Sequence, residues 1–164
     1  MYKPFLACVA AFFLLSPFAG AQEMDHEALH VAHGWARASL GQNPNSVAYV
    51  TLHNKSDASD ELLSIECAGA ARCSLHTHTT RNDISRMEAV SSLAVPAGAH
   101  VEFKPGSYHI MMFDVNAPLG AGDETSLTFH FREAGNITVS VPVLSMQEAA
   151  KRSHPKKDHQ SEHH

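Results

Sequence analysis

Beyond residue 21 the chain has no apolar run approaching the roughly 20 residues that cross a bilayer, so no spanning helix is expected in its body. It also lacks an excess of positive charge: 12 Lys and Arg stand against 17 Asp and Glu, a formal net charge of −5. A mildly acidic chain gives no electrostatic reason to bind nucleic acid. Aromatics are sparse, with one tryptophan and three tyrosines, and there are only three cysteines, too few for a disulfide scaffold. The body shows no helix-period stretch, which argues against a bundle. Histidine is the opposite case. All 13 lie beyond residue 21.

The first residues read as a secretory signal peptide: Lys3, an apolar run from Phe5 to Phe18, then the small-x-small site Ala19-Gly20-Ala21. Cleavage is expected after about Ala21, giving an exported, soluble product in the periplasm with no membrane insertion once the leader is gone. A lipoprotein reading through Cys8 would leave almost no hydrophobic segment before the cysteine. The remaining length suits one domain with a real core. Export leaves Cys67 and Cys73, and an oxidising compartment favours a disulfide between them, contributing roughly 2 kcal/mol for so short a loop. The competing reading makes Cys73 a metal ligand, since it stands in Cys-x-x-His spacing with His76.

Short β-type segments recur near Val47–Leu52, Glu61–Cys67, Ser74–Thr79, Ser85–Val90, His100–Phe103, Tyr108–Val115, Ser126–Arg132 and Ile137–Val143. Gly, Pro, Asn and Asp clusters punctuate them, for instance Lys104-Pro105-Gly106 and Ala134-Gly135-Asn136. Such spacing indicates an all-β sandwich or barrel. Residues 22–33 form a His- and Met-containing flank, and 34–145 the β domain. Residues 146–164 are too polar to bury a core and are expected as a disordered tail. Its His154, His159, His163 and His164 are candidates for Cu(II) or zinc.

Within the body, "YHIMMFDV" alternates poorly: His109, Met111 and Phe113 share one face, and Tyr108, Ile110, Met112 and Asp114 the other. His109 and Met111 project together about 6–7 Å apart. Upstream, His76 and His78 share a face. A hairpin symmetric about Arg81-Asn82 sets His76 opposite Met87, with Cβ atoms about 5 Å apart. Two His/Met pairs could thus close around one ion. Imidazole with thioether suits Cu(I) rather than zinc, calcium or magnesium. Periodicity alone favours the other reading, Met87 and Met111 as core methionines with the histidines capping polar edges.

The spacing H-x10-M-x21-H-x-M, from His76 to Met111, resembles the signature of the periplasmic copper chaperone family PCuAC. "NSVAYVTLHN" and "VPAGAHVEFKPGSYHIMM" are similar to blocks of that family, as is "VNAPLGAGDETSLTFHFREAGNITVSVPV". The resemblance spans roughly Val31 to Val143. It implies a cupredoxin-like Greek-key sandwich and an exposed Cu(I) site of His76, Met87, His109 and Met111. It also implies copper delivery to the CuA centre of cytochrome c oxidase subunit II, alongside a Sco-type protein. Thr77 departs from the acidic residue that often follows the first ligand, and Cys67 and Cys73 lie outside the family pattern. The expectation is a monomeric carrier and not an enzyme. Copper sequestration for resistance is the main alternative. A blue-copper electron carrier is a weaker one, because the close Cys–His–Met loop it needs is missing.

Overall fold

Alternating apolar residues build ten strands, seen in a computed structural model that describes residues 28–39 and 45–153. The expected signal peptide, most of the N-terminal flank and the four tail histidines lie outside the described residues. The strands are β1 (Leu29–Arg37), β2 (Ser46–Asn54), β3 (Asp60–Cys67), β4 (Ala70–Arg81) and β5 (Ile84–Val90), followed by β6 (Leu93–Val95), β7 (His100–Glu102), β8 (His109–Val115), β9 (Glu124–Phe131) and β10 (Asn136–Leu144). The fold is an all-β open sandwich, as expected. One layer runs β5-β4-β8-β2-β1, with β7 also on β2; the other runs β10-β9-β3-β6.

Two joints hold the layers together. At one edge β1 pairs with β10 in parallel through Ala36–Val143 and Arg37–Leu144. At the other, Ala68-Gly69 turns β3 into β4, and Cys67 is disulfide-bonded to Cys73 with Cα atoms 6.0 Å apart, inside the usual range for a bridge. Between the layers lie Val50, Leu52, Ile110 and Met112 from one side and Leu62, Leu127, Phe129 and Val141 from the other, all essentially inaccessible.

Two strands escaped the sequence reading, each for a physical reason. β1 begins inside the flank read as residues 22–33: Leu29 is buried and Leu29–Ala32 pairs with β2. A bulge then shifts the register by one residue between Ala32 and Trp35, with His33 at φ 53°. That shift breaks the alternation that would announce a strand. β6, with three residues, is too short to show a period. Gly34 sits in the bulge because a Cβ there would overlap Val141 Cγ1 on β10. Gly34→Ala is therefore expected to destabilise by about 1–3 kcal/mol, the usual range for overpacking, read as a lowered denaturant midpoint at unchanged slope.

The expected disordered tail also needs correction at its start. Met146–Ser153 form a helix, α1, with Ala149 buried. Ser145 and Glu148 make a reciprocal capping box. The Ser145 backbone N–H donates to Glu148 Oε2 at 2.9 Å, and the Glu148 N–H donates to Ser145 Oγ at 3.3 Å. The Ser145 hydroxyl, which donates to Glu148 Oε2 at 2.6 Å, and then the Ser145 backbone N–H hold the Glu148 carboxyl below its ordinary range. The signature S-x-x-E was present in the sequence as "SMQE".

Candidate metal centre

Strands β5, β4 and β8 lie side by side at one end of their layer. β8 turns Ile110 and Met112 into the core and keeps His109, Met111 and Phe113 on the outer face, the division its sequence suggested. β4 turns Leu75 inward and sets Ser74, His76 and His78 outward beside them. Register then fixes the neighbours: Ser74 faces Met111, and His76 faces His109.

The hairpin of β4 and β5 differs from expectation. Its turn is centred on Asn82-Asp83, with φ of 51° and 61°, and Arg81 pairs with Ile84. Two left-handed residues make the tight hairpin loop whose twist matches that of its strands, and Asn and Asp are the non-glycine residues best suited to it. The pairing consequently moves by two residues. His78, not His76, faces Met87, and His76 faces Ala89. An even shift leaves every side chain on its face, so Met87 still projects beside the histidines. His78, which the sequence placed only on the face of His76, is the residue opposite Met87.

The side chains converge on His109, which is only 4% exposed. Its Nδ1 lies 3.0 Å from the Ser107 carbonyl. A carbonyl can only accept, so this bond places the proton of the neutral ring on Nδ1 and leaves Nε2 as a bare lone pair. That Nε2 lies 3.0 Å from Met87 Sδ. A thioether has no proton to give, so two electron-pair donors face each other. The rings of His78 and His76 follow, with centroids 5.0 and 5.9 Å from that of His109.

His76 is oriented from its other side. Its Nε2 is 2.9 Å from Ser74 Oγ, while its Nδ1 is buried without a hydrogen-bond partner. Such an orphan costs free energy unless something fills it. The His76 pKa is lowered, first by burial, then by the neighbouring His109 and Arg72, which keeps the ring in its ligating form. Arg72 lies over the Phe113 ring at 3.9 Å, and Phe113 in turn stands 6.0 Å from His76. This aromatic wall was invisible to spacing arguments, since nothing in the sequence pairs Arg72 with Phe113.

Met87 is 49% exposed on the outermost strand. Met111 lies two residues beyond His109 along β8, partly buried. Among the described residues, no three His, Cys, Asp or Glu side chains gather into a metal-binding group. A centre here depends on the sulfur atoms, and sulfur with neutral nitrogen selects a soft, low-charge ion. The cysteines do not compete, because both are consumed by their disulfide.

Residues 29–143 match the family model described as "Putative lipoprotein LpqE-like". A curated relative, the uncharacterized protein RP573 of Rickettsia prowazekii (strain Madrid E), is 32% identical over 122 residues. That match covers 72% of this chain and 67% of the relative. Among solved structures, the solution structure of CuI-DR1885 from Deinococcus radiodurans is 27% identical with a TM-score of 0.56, covering 77% of this chain and 83% of that one. The copper-bound PCuAC domain from PmoF2 superposes with a TM-score of 0.62 at 21% identity, covering 72% and 93%. At that lower identity the likeness is one of fold.

Proposed function

The chain belongs to the LpqE-like family, and on that footing we propose that it is a periplasmic copper chaperone, a carrier without turnover chemistry. Its cargo is Cu(I), bound by His76, Met87, His109 and Met111. The observation that carries the reading is the 3.0 Å approach of His109 Nε2 to Met87 Sδ. A soft cation seated there turns two opposed lone pairs into two coordinate bonds. The unpartnered His76 Nδ1 supplies a further donor on the same face. CuI-DR1885 and the copper-bound PmoF2 domain, which share the fold, are named with copper.

Every donor in this set is neutral, so the ion is held without fixed charge. Thioethers are weak individual donors, and release can proceed one ligand at a time. His109 is the buried anchor, with its ring fixed by Ser107. Met87 is the exposed arm that an acceptor's ligand displaces first. The acceptor is the CuA centre of cytochrome c oxidase subunit II, with a Sco-type protein as co-worker; the H-x10-M-x21-H-x-M spacing supports this assignment. His154, His159, His163 and His164 form a separate Cu(II)-binding tail in this scheme.

Titration of reduced, metal-free protein with Cu(I), followed by X-ray absorption, tests the site. One equivalent with both sulfur and nitrogen neighbours is expected; an all-nitrogen shell rejects it. A strain lacking the protein should lose oxidase activity under copper limitation and regain it with added copper. Unchanged activity in that strain argues instead for sequestration.

Acid gives a further expectation. Because the folded His76 pKa lies below that of a free imidazole, the unfolded chain takes up its proton first as pH falls. The apo fold therefore keeps the full His76 contribution above about pH 6.5 and loses it as pH drops through the lowered value. Protons compete little for His76 above that point. Cu(I) affinity, measured against a chelator, should accordingly change little between about pH 7.5 and 6.5. A steep decline across that interval would contradict the neutral-site reading.

A further inference from the structure

Away from β4, β5 and β8, the register lines up three more imidazoles. His30 on β1 faces His53 on β2, and His53 faces His100 on β7. The row lies at the far end of β2 from the copper site. Val47, the residue opposite Met111, is six positions from His53, or about 20 Å of strand. The His53 and His100 rings stand 5.2 Å apart between centroids, tilted by 36°. His100 is exposed and the other two half-buried.

Directly opposed like charges destabilise a sheet, and neutral imidazole is the ligating form. The carboxylate two residues along β7, Glu102, accepts a hydrogen bond from Lys104 Nζ at 2.8 Å and so is engaged elsewhere. In keeping with this, the His53 pKa is lowered, first by burial, then by His100, Lys55 and His30. The separation also suits a shared ion. Two imidazoles bound to one tetrahedral centre at about 2.0–2.1 Å per nitrogen have ring centres about 5 Å apart.

We infer that His53 and His100, with His30 as a third donor from the adjacent strand, form a second metal site for a divalent ion of the Cu(II) or Zn(II) class. The donors are all nitrogen, with no thioether to favour Cu(I) and no oxygen set to favour calcium or magnesium. No three of these side chains are gathered around one point as they stand; His53 and His100 hold the ion, water completes the shell, and His30 joins by side-chain rotation.

The test uses the full chain carrying one equivalent of Cu(I), titrated anaerobically with Zn(II) while the histidine ring resonances are followed by NMR. Zn(II) is diamagnetic and a poor partner for thioethers. The His53 and His100 rings should shift together and saturate. The double variant His53→Gln, His100→Gln should bind one zinc equivalent fewer while Cu(I) binding is unchanged. Unmoved His53 and His100 resonances at saturating zinc would overturn the site, leaving a tilted surface pair. The same zinc stoichiometry in a folded double variant would do so as well. The wild-type resonances decide the question even if the variant fails to fold.

Discussion

The double variant Met87→Leu, Met111→Leu should lose at least about 100-fold in Cu(I) affinity, equivalent to about 2.7 kcal/mol, while keeping its fold. Leucine nearly conserves the volume of methionine, and such swaps generally cost below about 1.5 kcal/mol. Met87 is half-exposed and Met111 only partly buried, so little packing is at stake. What disappears is both sulfur donors, leaving an imidazole set that a soft monovalent ion favours far less. The loss is read by competition with a Cu(I) chelator, and X-ray absorption should show the sulfur shell gone. Circular dichroism and the unfolding midpoint should stay near those of the wild type. Equal Cu(I) affinity in the double variant would remove Met87 and Met111 from the site.

The largest expected effect on stability is at a residue with no part in copper binding. Asn54, at the end of β2, is 1% exposed, and its side-chain amide is saturated. Nδ2 donates to the carbonyls of Val95 at 3.0 Å and Ala58 at 2.8 Å. Oδ1 accepts from the Ser56 N–H at 3.0 Å and from Ser56 Oγ at 2.6 Å. Asn54→Asp preserves the shape and removes both donors, so a carboxylate oxygen faces two carbonyls without water. The expected cost at neutral pH is about 3–5 kcal/mol, as for an uncompensated buried charge. The sign of the pH dependence identifies the cause. Desolvation raises the folded pKa of the new carboxyl above about 3.9, the unfolded value. The variant should then be closest to wild type in acid and fall away as pH rises through the raised value. A pH-independent loss would mean that shape rather than charge is responsible.

Asn54 also shows where sequence reading stops. In the string Asn54-Lys55-Ser56-Asp57 it looks like any turn residue, and turn residues are usually exposed. Only the closure of β6 and the β3 approach around it makes it a core polar group. The same limit separates what was legible at the metal centre from what was not. That His109, Met111 and Phe113 share a face follows from strand periodicity alone, and the structure keeps it. Which residue faces Met87 depends on the turn. Asn82-Asp83 could have been preferred over Arg81-Asn82, because a tight hairpin wants two residues that tolerate positive φ and arginine is a poor one. The Ser107 carbonyl that fixes the His109 ring, and the Ser74 hydroxyl on His76, are contacts of single atoms with no periodic trace. The bulge at His33 hid β1 by breaking its alternation, whereas α1 was announced by its capping box and overlooked amid polar composition.

β5 is the last strand of its layer, and its outer rail of amides and carbonyls has no neighbour among the described strands. An edge of that kind accepts a further strand, and successive strands stand about 4.8 Å apart. A chain docking alongside Ile84–Val90 would bring its own side chains as near to Met87 as those of β4 are now. In the proposed carrier role, Met87 would then lie one sheet spacing from the side chains of an incoming strand.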